Sequence, residues 1–198
     1  MPEIHLKRLG RAGAHIPIVG TQPLIQHRFS EKARQMMLER QQQMAVEREP
    51  KNPEALFEAA LYRLPGDRYG HPSVAFKSAT VGGVRFFKGS KLTMTGVKAM
   101  IFVVGEGSNS LIELEGEPKM REDPVRNSSG VADLRYRPGF WPWRATLHIV
   151  YVKNQFSIES LVALVDAGGN IGVGEWRPEF GTYRVDDDRE IVEEQEAS

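Results

Sequence analysis

The stretch RATLHIVYVKNQFSIESLVALVDAGGNIGVGEWRPEFGTYRV, residues 144–185, decides the fold class. In its first nine residues Ala145, Leu147, Ile149 and Tyr151 alternate with other residues, the pattern of a strand with one buried face. Ser157 stands where a helix N-cap is wanted, the residues after it carry a helical pattern, and Gly168-Gly169 supplies the stop. The glycine-rich run that follows is flanked by two short segments of strand character, IGVGEW and GTYRVD. The order is strand, helix, glycine loop, strand.

Working outward, KLTMTGV, AMIFVVGE and SLIELEGE (within 91–117) read as short strands separated by turns. Pro72 opens a helix through SVAFKSATVGGVR, and Asn52-Pro53 opens another through EALFEAALYRL. Ser30 is placed to cap a helix over 31–48 with a thin apolar stripe of Ala33, Met36, Met37, Met44, Ala45 and Val46, a helix partly buried in one protomer and packed on a neighbour. These elements predict an α+β protein. A ferredoxin-like antiparallel sheet with helices on one face accounts for them, with an added N-terminal arm and helix. The expected boundaries are an N-terminal arm at 1–29, extended or with an early strand and turns, one domain at 30–185 and a disordered acidic tail at 186–198.

The chain has 198 residues, no cysteine, 40% hydrophobic and 26% charged residues, the balance of an ordinary globular protein. No apolar run approaches the roughly 20 residues that span a bilayer. The first ten residues lack the apolar core of a secretory signal, so a cytoplasmic location is expected. Net charge is zero but unevenly placed: residues 1–185 carry +6 and residues 186–198 carry −6. Such a tail either lies over a cationic groove and recruits partners, or is only a solvated end.

Three clusters suit nucleic acid. The loop at 168–185 holds Gly172 and Gly174, whose backbone can approach phosphate, with Trp176, Arg177, Tyr183 and Arg184 as stacking and charge-pairing groups. The alternative is a tight turn whose Trp176 and Tyr183 plug the core. Residues 135–144 interleave Arg135, Arg137 and Arg144 with Tyr136, Phe140, Trp141 and Trp143. They form either a stacking platform or a loop covering a sheet edge. Lys77, Arg85 and Lys88 belong to a basic stripe within 63–91 that would track a backbone with salt-dependent affinity. The glycine loop is not followed by a helix and lacks GK[ST], so neither a dinucleotide fingerprint nor a P-loop is expected. The five histidines form no metal-ligand spacing, Glu113, Glu115 and Glu117 read as an exposed strand face, and no G-x-S-x-G elbow occurs. No catalytic residue, metal or cofactor is expected.

Two motifs carry a resemblance. Ile171-Gly172-Val173-Gly174, a six-residue spacer and Gly181-Thr182-Tyr183 are similar to the C-terminal glycine loop of RAMP proteins, the RNA-binding superfamily that builds CRISPR effector complexes. Thr182 stands where a further glycine is usual. His71-Pro72-Ser73-Val74-Ala75-Phe76-Lys77-Ser78 resembles the proline-led helix with a basic residue in the backbone subunits of those complexes. The small cysteine-free chain also looks like a phage or prophage protein. The resemblance implies a ferredoxin-like fold and a non-catalytic protein that binds single-stranded DNA or RNA as a homo-oligomer, in a ring or filament, away from membranes. A phage structural protein or inhibitor of a host system, and a metal-independent endoribonuclease using His27 or His71, are the alternatives.

Overall fold

The computed structural model describes residues 8–29, 31–42, 50–126, 130 and 132–195. In chain order the elements are β1 (Arg11–Gly20), β2 (Leu24–Ile25), α1 (Glu31–Gln41), α2 (Pro53–Ala60), β3 (Arg63–Leu64), β4 (Arg68–Pro72), α3 (Ser73–Gly83), α4 (Met94–Met100), β5 (Ile101–Val104), β6 (Leu111–Leu114), β7 (Pro118–Arg126), β8 (Ala132–Phe140), β9 (Arg144–Val152), α5 (Ile158–Gly169), β10 (Tyr183–Val185) and β11 (Val192–Gln195).

The main sheet runs β10-β1-β9-β5 with every pairing antiparallel, and β11 joins the first half of β1. Tracing β1, α3, β5, β9, α5 and β10 gives the β-α-β-β-α-β path of a ferredoxin-like fold, as the sequence suggested. Both excursions from that path are strand-rich. The segment between β1 and α3 supplies β2, β3 and β4, and the segment between β5 and β9 supplies β6, β7 and β8. They combine into two small sheets, β2-β8-β7 and β3-β4-β6.

One face of the main sheet is covered. Ala12, Ala14, Ile16 and Ile18 of β1 meet Ala145, Leu147, Ile149 and Tyr151 of β9, and Phe76, Ala79, Leu161, Leu164 and Val165 of α3 and α5 close over them. The alternation read from the sequence is therefore the real inside–outside alternation of β9. The two helices touch backbone to backbone. A Cβ on Gly168 would lie 2.8 Å from the carbonyl of Ala79, and one on Gly83 would lie 2.8 Å from that of Leu164.

The structure departs from the sequence reading at both ends. The arm expected at 1–29 contains β1, an interior strand of the main sheet. Its mixed Gly, Pro and His composition hid the period-2 run Ala12, Ala14, Ile16, Ile18. The tail expected to be disordered from 186 instead buries Asp186 and pairs β11 with β1. An acidic strand is tolerated there because cations of the sheet neutralise it. Met94–Met100 is helical rather than extended, since the Thr93 side chain accepts from the Gly96 N–H and caps it. Arg63–Leu64 leaves the second expected helix to form β3. IGVGEW is a turn. Ser30 and residues 43–49 lie outside the described residues, so the capping and the second half of the thin stripe are proposals only.

Gly168→Ala is expected to cost about 1–3 kcal/mol by overpacking against unyielding backbone, measured by urea unfolding. Gly10→Ala, whose Cβ would meet only the Asn154 side chain at 3.4 Å, should change stability by less than about 0.5 kcal/mol.

Candidate nucleic-acid interface

The glycine loop is shaped by what it sits on. Gly181 N–H donates to the Pro23 carbonyl at 2.8 Å, and Glu175 N–H donates to the Ile25 carbonyl at 2.9 Å. The loop thus lies along β2, and β2 pairs with β8. Gly174 has φ +83°, and a Cβ there would lie 2.7 Å from the Leu24 side chain. Its glycine is required by this close approach. Gly172 is buried and its N–H already donates to the Gly168 carbonyl at 3.2 Å. That corrects the expectation that this N–H is offered to phosphate.

Seating the loop on β2 brings the two arginine–aromatic clusters together. Arg137 of β8 is 2% exposed, its guanidinium lies 4.9 Å from the Trp176 ring centre, and its Nη2 is 3.4 Å from Glu175. Arg121 of β7 lies 5.0 Å from the Phe180 ring, and Phe180 and Trp176 are 6.0 Å apart. The result is a stack of guanidinium, ring, ring, guanidinium. Burial weakens the hold of Arg137 on its proton, although Glu175 and Asp123 oppose this. Trp176 has φ +55°, a left-handed backbone unusual for a bulky residue. It remains 38% exposed, so its ring is held from beneath and open above.

Beside this stack runs a cleft of about 210 Å³ lined in part by His27, Arg28, Leu56, Arg135 and Tyr136. Arg28 and Arg135 of the cleft, and Arg177 next to Trp176, have no ion-pair partner among the described residues, whereas Lys51 of the cleft is paired with Asp133. His27 titrates below its usual range, first because of partial burial and then because Arg137 and Arg135 are near. Burial raises the Tyr62 hydroxyl, which also feels Arg28 and Glu175. These couplings place Arg28, Tyr62, His27, Arg135 and Arg137 in one electrostatic neighbourhood.

The remaining sequence candidates go elsewhere. Trp143 is 1% exposed and donates its indole N–H to the Gln22 carbonyl at 2.9 Å. Tyr183 is buried between Phe76 and Trp143. Both are core residues, because Trp143, just before β9, and Tyr183 at the start of β10 adjoin Gly20 at the end of β1. Arg144 is bound to Asp186 at 3.0 Å and Arg184 to Asp187 at 3.0 Å. Lys77 lies over Phe102, and Arg85 and Lys88 follow the C-terminal end of α3. Trp141 is exposed but sits some six residues along the chain from Arg135, about 20 Å of extended strand. Arg28 was missed because it lay in the supposed arm. The change from buried Leu24, Ile25 and Gln26 to exposed His27 and Arg28 is where the chain surfaces.

His71 lies in the interior. It is 5% exposed, its Nδ1 accepts from the Gln26 amide at 3.4 Å, and the rings of Tyr62 and Phe76 flank it. Burial and then the charge of Arg177 push its pKa down to about 3.

Neither a family model nor a curated protein matches the sequence. Among solved structures, the chain is similar in fold to a chain of the Type III-B Cmr-beta bound to cognate target RNA. The TM-score is 0.52 at 8% identity, over 95% of this chain and 62% of that one. The present chain thus spans under two thirds of that neighbour's length. A crystal structure of Cmr6 from Pyrococcus furiosus gives a TM-score of 0.41 at 9% identity, over 90% of this chain and 100% of that one. The likeness shows a shared fold, the α+β fold that the resemblance implied. Among the described residues, no helix is long and apolar enough to cross a membrane.

The folded state keeps His71 neutral, while the unfolded chain takes up a proton below about 6.5. Stability is therefore lost as pH falls from 6.5 towards 3, at up to about 1.4 kcal/mol per pH unit. Urea titrations at pH 6.5 and 5 should show His71→Gln losing about 2 kcal/mol less than the unsubstituted chain over that interval.

Proposed function

We propose that this chain is a non-catalytic binder of single-stranded nucleic acid. The strand would lie along the cleft, with a base on the open face of Trp176 and phosphates on Arg28, Arg135 and Arg177. The observation that carries this reading is an exposed, buttressed tryptophan followed in the chain by Arg177, beside a cleft lined by Arg28 and Arg135, three arginines with no ion-pair partner among the described residues. Arg137 is a positioning residue: it holds the ring from below and does not meet the ligand. Gly172 and Gly174 serve to seat the loop. Arrangements of this kind bind without strong sequence preference, because every base has a stacking face and every nucleotide a phosphate.

The solved structure with the same fold was determined bound to cognate target RNA, which favours RNA as the ligand to try first. The reading also includes self-association. Met37 and Leu38 on α1 are exposed and would carry the contact between protomers. A phage origin, and a cytoplasmic setting, remain part of the same reading. A phage structural or inhibitory role would use the Trp176 surface against a protein instead.

Fluorescence anisotropy with a labelled 20-nucleotide RNA tests the reading. Three phosphate contacts predict a log–log salt slope near −2, at about −0.7 per contact for a single strand, so raising salt fourfold should weaken binding about 20-fold. Trp176→Ala should weaken binding by about 5- to 150-fold, the equivalent of 1–3 kcal/mol for a lost base stack. The triple substitution Arg28→Gln, Arg135→Gln, Arg177→Gln should flatten the salt slope. Absence of binding at low salt, or affinity indifferent to salt, would overturn the reading.

A further inference from the structure

The sequence shows no metal-ligand spacing, yet the main sheet assembles one. His15 on β1 and His148 on β9 are direct cross-strand partners on the face not covered by helices. Their rings stack at 4.5 Å with an 11° angle between planes. On the other side of β1, β11 places Glu194 opposite Gly13, two residues from His15 on the same face. The Glu194 carboxylate lies 3.0 Å from His15 Nε2.

Gly13 shows where the three side chains converge. A Cβ at that position would lie 3.2 Å from Glu194 Oε2 and 3.4 Å from His148 Nε2. The bare backbone thus leaves a hollow into which a carboxylate oxygen from one neighbouring strand and an imidazole nitrogen from the other both point. One donor atom from each of His15, His148 and Glu194 lies within 4.8 Å of the others. Bonds of about 2.0–2.2 Å to zinc imply donor–donor edges near 3.3 Å in a tetrahedron, and rotation of three partly exposed side chains closes that gap.

We infer that His15, His148 and Glu194 form a binding site for a divalent first-row transition metal of the zinc type. Two imidazoles and one carboxylate suit zinc and exclude magnesium and calcium, which take oxygen ligands. Three protein ligands leave a fourth position open. His15 and His148 also border a cavity of about 480 Å³ that reaches Thr146 and Val104 and gives an entry path. The carboxylates around that cavity are committed elsewhere: Glu113 is paired with Arg68 at 2.7 Å, and Glu115 with Arg189. They do not compete for the ion. Glu194 belongs to the last strand, so the metal clips β11 to β1 and β9 and stabilises the closing edge of the sheet. The site is independent of the nucleic-acid reading.

The test uses the full chain without a histidine tag. Competition with a chromogenic chelator should give one Zn²⁺ per chain, with Mg²⁺ not competing. Melting should shift upward by about 5–10 °C at free zinc a hundred times Kd. His15→Ala, His148→Ala and Glu194→Gln should each weaken zinc by more than about 100-fold, beyond the loss typical of outer-shell partners. Glu193→Gln should not, since Glu193 accepts from Tyr151 on the opposite face at 2.7 Å. A circular dichroism spectrum at the working temperature confirms that each variant is folded. Zinc affinity unchanged in all three ligand variants, or lost equally in Glu193→Gln, would overturn the inference.

Discussion

The nine-residue antiparallel ladder between β1 and β9, from Arg11 opposite Val152 to Val19 opposite Arg144, is the constraint on which the rest of the molecule depends. It sets which face of each strand is inside. With this register Ala12, Ala14, Ile16 and Ile18 meet Ala145, Leu147, Ile149 and Tyr151 beneath the helices, and His15 meets His148 on the other face. A slip of β9 by one residue would exchange its faces and place His148 and Arg144 in the core. The hydrophobic pattern therefore specifies the histidine pair indirectly: the imidazoles face each other because the aliphatic residues between them must be buried.

An interior β1 also forces the chain to come back to it twice. After α5 the backbone must return to the other edge of β1 as β10 and then, after a short excursion, as β11. Gly168 lets α5 lie on α3, Gly169 lets it pass Tyr183, and Gly181 turns the loop with φ +70°. The concentration of glycine at 168–181 follows from these close passages. The loop then binds the Pro23 and Ile25 carbonyls and fixes the small β2-β8-β7 sheet to the main one. That seating holds Trp176 over Arg137, so the proposed recognition surface follows from a packing requirement.

The α+β class, the ferredoxin-like path, the α5 cap at Ser157 and the β9 alternation were all legible, because each is a local pattern of period or capping. Register across distant strands was not. Nothing in residues 11–20 read alone shows that they pair with 144–152, and Gly13, His15 and Pro17 on the outer face disguise the strand. The same limit governed the site. Arg135, Arg137, Trp176 and Arg177 were legible as residue types, but which arginine stacks beneath the ring and which stays open depends on β2 lying between the two segments. Trp143 and Tyr183 were misplaced for a related reason. An aromatic residue near an arginine has the same local sequence whether it faces solvent or core, and the bare Gly20 that accommodates Trp143 lies over a hundred positions away in the sequence.

Charge distribution gives the last step. The −6 of residues 186–198 looked like a free counter-charge to a cationic body, but it is largely spent inside the fold. Asp186 takes Arg144 and Arg189, Asp187 takes Arg184, Glu193 takes Lys153, and Glu194 lies against His15. These contacts lie along the main sheet and neutralise Arg144, Arg184 and Lys153 there. Arg28, Arg135 and Arg177, in the excursions and the glycine loop, have no such partners; among the described residues the same holds for Arg11 on β1 and Arg85 after α3. A polyanion approaching a chain of zero net charge is drawn to the local field rather than the total. On the proposed reading, the acidic segment would favour the cleft by pairing with Arg144, Arg184 and Lys153 elsewhere.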